Sequence, residues 1–473
     1  MSTGNDMEGL DALFYPKRVA VIGASRNAAK FGHIILKYML EDGYKGKIYP
    51  INQKAEEVLG LEAYSSIKDV PDVVDLVVVA VPARVVPTVM QECVEKKAKS
   101  AVIVSAGFSE IGKEGKLLQD EVIRIVKDGG IRTVGPNCLG IVNTDPTVRL
   151  NATFGSHILL EGPIAFVSQS GAFADAVFAW AQEQGIGFSK FVSIGNMCDV
   201  NFADLMLYFK QDERSAVITM YIEGIDEGRE FMEIAKRVAR RKPILVLKSG
   251  RSQAGMRAIV SHTGSLAGSD SVYDAAFKQS GVIRASGVEE LFDMARALAF
   301  QCPPRGDRLG IITHAGGPAI MTVDACESYK IRVPSLSEVT VRKLRAFLPG
   351  RCNVENPLDV VGDADLKMYN AALDALGHDE NIDALIISLE GITCGDGFID
   401  MKKWPDTLSK TAEEVGKPTL VLWMFAQGQL KEGIETFEKN GIPVYSSPER
   451  VARALAALIR YGEFLRKGGK RSC

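Results

Sequence analysis

Val19-Ala-Val-Ile-Gly-Ala-Ser-Arg-Asn-Ala28 is an apolar run that breaks into a glycine turn ahead of a helical pattern over 29–41, and its reading decides the fold. A short, uninterrupted apolar run bounded by a turn reads as a strand buried on both faces, the habit of parallel sheets. The same alternation continues. Strands are expected at Val19–Ile22, Lys47–Ile51, Leu76–Val81, Ala101–Ser105 and Ile131–Val134, with helices near 29–41, 84–97 and 115–128. Strand–helix–strand alternation implies a mainly parallel sheet with helices on both faces, so residues 1–145 are expected to form a Rossmann-like α/β domain.

The opening turn also bears on ligand choice. A dinucleotide fingerprint wants glycine at 23, 25 and 28, or alanine at the last, and an acidic residue roughly 20 positions later. Here position 25 is serine, and the second strand runs out as Tyr49-Pro-Ile-Asn52-Gln-Lys54. Gly23, Ala24 and Ser25 still make a tight turn into a helix N-terminus, whose amides suit a phosphate. Asn52 and Lys54 favour a phosphorylated ribose over the free diol of NAD. An adenine nucleotide other than NAD is therefore expected, and coenzyme A, with its 3′-phosphate, suits. Further on, Gly107-Phe-Ser-Glu-Ile-Gly-Lys-Glu114 has the spacing of a phosphate-binding loop until Glu114 replaces the magnesium-holding hydroxyl, so it is rejected as an ATP site. Asn137 and Cys138, in the turn that closes this domain, read as a polar pocket wall or as a capped turn.

Residues 146–302 read as a second α/β unit and residues 303–473 as a third, with Pro303-Pro-Arg-Gly306 as the linker between them. In the second unit, Ser168-Gln-Ser170-Gly171 follows a strand and opens a helix, so it reads either as a phosphate cradle or as an ordinary N-cap. Glu223 ends the strand of Tyr221-Ile-Glu-Gly224, placed to orient a histidine through its Nδ1–H. The apolar run Pro243–Leu247 feeds a long loop, Lys248 to Gly268, with His262 at its centre among Ser261, Thr263 and Ser265. Open α/β sheets place chemistry at such carboxyl ends. The loop reads as the seat of an exposed, hydrogen-bonded, movable histidine, or as an inert polar loop. No second His or Cys stands at metal-ligand spacing from His262, so zinc is not expected. In the third unit, Thr313-His-Ala-Gly316-Gly317-Pro318 repeats the strand, glycine turn, helix plan, which offers a second helix N-terminus to an anion. His314 is the rival histidine and reads as structural.

Length and composition fit this division. A chain of 473 residues suggests about three domains. With 56 basic and 59 acidic side chains the net charge is −3, which gives no electrostatic case for nucleic acid. The eight cysteines are scattered without a C-x-x-C pair and read as reduced thiols of a cytoplasmic protein. The first residues lack a basic and an apolar region, so no signal peptide is expected, and no apolar run approaches the ~20 residues of a membrane span.

Gly23-Ala-Ser25, Val81-Pro82-Ala83, Gly135-Pro-Asn-Cys-Leu-Gly140, Ser168-Gln-Ser-Gly171, Tyr221-Ile-Glu-Gly224 and Ser261-His-Thr-Gly264, in that order, resemble the α subunit of the ADP-forming acetyl-CoA synthetases (acetate–CoA ligases), relatives of succinyl-CoA synthetase. The resemblance implies a Rossmann-like CoA-binding domain followed by two flavodoxin-like ligase domains. It implies that Gly23, Ala24, Ser25, Asn52, Lys54, Val81, Pro82, Asn137 and Cys138 surround coenzyme A, and that Ser168, Ser170, Gly171, Gly316 and Gly317 hold phosphate. It further implies a phosphohistidine, which falls on His262, stabilised by Glu223. ADP or ATP with Mg²⁺ would then sit on a separate ATP-grasp β subunit, in an α2β2 heterotetramer, because no further domain of that size fits after residue 466. His314 departs from the pattern, which has asparagine there. Two rivals are weighed. A non-catalytic CoA-binding regulatory protein would keep the Gly23 turn but have no use for His262 and Glu223 together, and an NAD-linked redox enzyme conflicts with Ser25 and Asn52.

Overall fold

The computed structural model describes residues 4–155, 160–257, 269–391, 393–394, 397–424 and 428–469. His262 and its neighbours Ser261, Thr263, Gly264, Ser265 and Gly268 lie outside the described residues, as does the end of the tail, 470–473. The contacts divide the chain into two units, Met1–Ala285 and Ser286–Cys473.

The first unit holds two sheets. In the first, five parallel strands lie in the spatial order Lys47–Ile51, Arg18–Ile22, Leu76–Val79, Ser100–Ile103, Arg132–Val134. Leu76–Val79 and Ser100–Ile103 are buried at every position, as expected of strands covered on both faces. In the second, the parallel set is Ile283–Ala285, Ile244–Lys248, Val217–Ile222, Glu161–Ser168, Phe188–Ser193. The hairpin of Gly140–Asn143 and Leu150–Thr153 extends it antiparallel beyond Phe188–Ser193. Residues 140–145, assigned from sequence to the first domain, therefore complete the second sheet.

The second unit carries five parallel strands in the order Leu358–Asp359, Leu309–Thr313, Ala384–Glu390, Thr419–Met424, Val444–Tyr445. By its contacts the segment after Ala285 groups with the C-terminal residues. The helix Val288–Phe300 brings Asp293, 1% exposed, onto the C-terminal helix, where it accepts from Arg450 Nη2 at 2.6 Å and Arg453 Nε at 2.9 Å. The expected linker at Pro303–Pro304 is packed as well, with Pro304 O accepting from Arg466 Nη1 at 2.8 Å. Cys93, Cys138, Cys198, Cys326 and Cys352 are free and buried, whereas Cys302 is disulfide-bonded, contrary to the expectation of reduced thiols throughout. No helix among the described residues is long and apolar enough to cross a membrane.

All three parallel sets share one order. Counted along the chain within each set, the second strand lies outside the first, and the third, fourth and fifth follow on the other side. This is the doubly wound 2-1-3-4-5 order, whose crevice opens at the carboxyl ends of the first and third strands, where successive helices leave to opposite faces. Each sheet thus designates one place for a ligand.

Candidate active site

In the first sheet that place is Gly23 and Ala80–Val81. Gly23 has φ +91° and an added Cβ would overlap the Ala80 carbonyl oxygen, so only glycine lets these two loops meet. Gly32, in the helix that follows, likewise admits no Cβ, because the Gly23 carbonyl packs against its backbone. Asn52 ties the rim together: its Nδ2 donates to Ala24 O at 2.6 Å, and its Oδ1 accepts from Lys54 N at 2.8 Å and Ala55 N at 3.0 Å. Asn52 is thus a clamp between the two loops rather than the free ribose ligand expected from sequence. Lys54 and Pro82 are exposed, and Val81 is half-buried at the crevice. Arg26, which the sequence reading missed, is exposed on the same rim and reaches Lys54 O at 3.5 Å.

Asn137 and Cys138 divide. Asn137, with φ +58°, donates from Nδ2 to Asn196 Oδ1 at 3.3 Å, and Asn196 donates in turn to Glu110 Oε2 at 2.6 Å and Gln119 Oε1 at 3.0 Å. Cys138 is 4% exposed, its thiol donates to Ile103 O at 3.3 Å, and burial pushes it up to about 12. It is a buried packing group, which fits the capped-turn reading of this segment and not the pocket-wall one. The rejected phosphate loop has its own occupant: Glu110 Oε1 accepts from the amides of Gly107 at 2.5 Å and Phe108 at 3.1 Å. Burial raises this carboxyl, but those amides and Asn196 outweigh it and hold it below the usual carboxylate range.

In the second sheet the crevice falls between Ser168–Gly171 and Glu223. Ser168 is fully buried and donates to Ser170 O at 2.7 Å, which shapes the turn. Ser170 caps the helix Gly171–Glu183 by accepting from Phe173 N at 3.3 Å. The first amides of this helix, at Gly171 and the exposed Ala172, lie at its positive end, where an anion is favoured. Gln169, overlooked between two serines, joins the parts. Its Oε1 accepts from Glu223 N at 2.8 Å and Gly224 N at 3.1 Å, while its own amide donates to Tyr221 O at 3.1 Å. Glu223 is 6% exposed, fixed at the strand edge beside the helix N-terminus. Lys248, likewise missed, ends the next strand in register with Ile222.

In the C-terminal unit the same place is taken by Thr313–Gly317 and Glu390. The helix Gly316–Ser328 begins without a side-chain cap, and Gly316 and Gly317 are exposed, so its amides are open to an anion. His314 is 9% exposed, with Nδ1 2.6 Å from Tyr369 OH and 3.2 Å from Glu390 Oε2, the latter outside hydrogen-bond geometry. Since Tyr369 OH donates to Ser388 O at 2.8 Å, it accepts from Nδ1–H, which places the neutral ring's lone pair on Nε2. Burial lowers the His314 pKa, against the Glu390 backbone and the Asp359 charge. Burial raises Glu390 to about 7, against hydrogen bonds from Ser388 and Thr313. These bonds fit the structural role read for His314.

Residues 17–144 match the family described as a CoA binding domain, and residues 161–298 match the succinyl-CoA ligase like flavodoxin domain. The α subunit of acetate–CoA ligase [ADP-forming] I of Pyrococcus furiosus is 43% identical over 97% of this chain and 99% of that protein. The 4-hydroxybutyrate–CoA ligase [ADP-forming] of Nitrosopumilus maritimus is 37% identical over 95% of this chain, which spans 64% of that longer protein. Among solved structures, the dinucleotide-forming acetyl-coenzyme A synthetase 1 of Ca. Korarchaeum cryptofilum, in complex with phosphate and ADP, superposes with a TM-score of 0.89 at 36% identity, covering 98% of this chain and 99% of the other. The chain belongs to the α-subunit family of the ADP-forming acetate–CoA ligases.

Proposed function

We propose that this chain is the CoA-binding, phosphoryl-carrying subunit of an ADP-forming acyl-CoA synthetase, working in the cytoplasm. With a separate partner it would convert an acyl-CoA, ADP and phosphate into the free acid, ATP and CoA. The observation that carries the reading is Gln169: it fastens Glu223 to a helix N-terminus at the crevice of the sheet from which the His262 loop departs.

The chemistry follows from those groups. CoA lies along the Gly23–Ser25 turn and the Val81–Pro82 rim, with Lys54 and Arg26 available to its phosphates. A phosphate oxygen attacks the thioester carbonyl, the C–S bond breaks, and CoA leaves as a thiolate that takes up a proton. Nε2 of neutral His262 then attacks phosphorus, and the bond from phosphorus to the acyl oxygen breaks, releasing the acid. One difficult transfer is split into two easier ones. The carboxylate of Glu223 accepts Nδ1–H and fixes the tautomer. The amides of Gly171 and Ala172 supply a positive dipole end for the phosphoryl oxygens, and those of Gly316 and Gly317 offer an anion site of the same kind in the C-terminal unit. Acetyl is the acyl group favoured, although a relative named for 4-hydroxybutyrate marks that choice as open to change within the family.

The partner carries ADP with Mg²⁺ on an ATP-grasp fold, in an α2β2 assembly. Purified alone, the chain is expected to form no ATP from acetyl-CoA, ADP and phosphate, and to do so once the partner is added. ATP synthesis by the isolated chain would overturn the half-enzyme reading.

A further inference from the structure

Phe31 opens the helix Phe31–Glu41 and is 51% exposed, a large apolar ring left in water beside the Gly23 crevice. Two neighbours pin it there. Gly32 packs so closely on the turn that an added Cβ would overlap Gly23 O, and His33 Nδ1 lies 2.7 Å from Ser25 O. Phe154, half-buried just beyond the strand Leu150–Thr153, stacks on Phe31 with ring centres 4.1 Å apart and planes 22° apart. Stacking hides one face of a ring, so the exposure of Phe31 lies on its other face and its edge.

Phe154 belongs to the second sheet, and the residue after it leads to the phosphate cradle. A Cβ on Gly155 would lie 2.5 Å from Asp175 Oδ1 and 3.0 Å from Leu139 Cδ1, so this strand end is held against the opening turns of the helix Gly171–Glu183. Leu139 in turn lies 3.4 Å from where a Cβ on Gly171 would stand. A run of contacts therefore leads from the Gly23 turn through Phe31 and Phe154 to the N-terminus of the phosphate helix, all within the first unit. One exposed apolar side chain is ordinary, but a stacked pair that bridges two ligand crevices is placed for a ligand that must span them.

We propose that the open face of the Phe31–Phe154 pair binds the pantetheine arm of acyl-CoA between the nucleotide turn and the phosphate helix. The inference rests on the functional reading given above, in which the CoA phosphates lie at Gly23–Ser25 and the thioester meets phosphate at Gly171. The arm connects those two points. Its dimethyl group and methylenes are apolar surface that gains by leaving water against a ring face. Adenine also stacks on aromatic rings, but the pair continues toward Gly171, where the arm ends and adenine does not.

Calorimetry on the full chain compares CoA, acetyl-CoA and adenosine 3′,5′-bisphosphate, which keeps the nucleotide and lacks the arm. Phe31→Ala should weaken CoA and acetyl-CoA alike by about tenfold, the scale of one ring face no longer buried, and leave the bisphosphate within about twofold. Phe31→Tyr keeps the ring and should bind all three as wild type does. Phe154→Ala, which removes the support beneath Phe31, should weaken CoA and acetyl-CoA and spare the bisphosphate. Retained bisphosphate binding shows that the fold is kept. Equal losses for all three ligands would put the ring against the nucleotide, and a loss confined to acetyl-CoA would put it against the acyl group. Either result, or wild-type affinities in Phe31→Ala, overturns the proposal. A wild-type chain that binds neither CoA nor the bisphosphate overturns the functional reading itself, and this proposal with it.

Discussion

Replacing Gln169 with leucine removes the acceptor that joins the two halves of the phosphate site and keeps the side-chain volume. The amides of Glu223 and Gly224, both buried, then lose their partner. An orphaned buried amide costs about 1–3 kcal/mol, so the pair costs at least about 2 kcal/mol, which the turn can recover only by shifting toward water. At roughly 1.4 kcal/mol per tenfold, the ordered position of Glu223 becomes roughly 30-fold less favoured, and label uptake from acetyl-CoA and phosphate should fall by that factor. CoA affinity, measured by calorimetry, should stay within about twofold, because the Gly23 crevice belongs to the other sheet. The melting temperature should fall by several degrees, at about 2–4 °C per kcal/mol for a unit of this size. Gln169→Glu separates packing from charge: its carboxylate accepts from both amides and restores the melt, but its charge beside the phosphate keeps uptake low. Wild-type uptake by Gln169→Leu would refute the assignment of Glu223's position to this residue.

Gly23→Val should weaken CoA binding at least about tenfold, since a side chain at φ +91° costs about 1–2 kcal/mol and also overlaps the Ala80 carbonyl; an unchanged Kd by calorimetry would sink the crevice. Glu390, raised to about 7 by burial, binds its proton more tightly folded than unfolded, so its stabilising contribution is full below about pH 4.5 and is lost as pH rises through about 7. Glu390→Gln should therefore unfold like wild type near pH 4.5 and be more stable by up to about 3 kcal/mol at pH 8; equal melting temperatures at pH 8 would show that ionised Glu390 carries no such cost.

The parallel sheets were legible because their strands are continuous apolar runs, and the carboxyl-end position of Gly23, Ser170, Glu223 and Gly316 followed from strand endings alone. What escaped was non-local. Asp293 looks in sequence like one more surface charge on a helix of the second domain, whereas in the fold its pairing with Arg450 and Arg453 helps join that helix to the C-terminal unit. Asn52 has the chemistry of a ribose ligand, but in the fold its amide clamps Ala24 to Lys54. Gln169 and Lys248 gave one weak signal each, a polar residue between two serines and a cation ending an apolar strand. Nothing local says that the first reaches Glu223 or that the second is buried.

The central claim is that His262 carries the phosphoryl group, and the direct measurement is the position of the label. The full chain, incubated with acetyl-CoA and labelled phosphate, is expected to take up an acid-labile, base-stable label that maps by mass spectrometry to the peptide containing His262. His262→Ala should abolish it, and His314→Ala, which removes a ring already bonded to Tyr369, should retain it. Label that persists in His262→Ala and vanishes in His314→Ala would contradict the account.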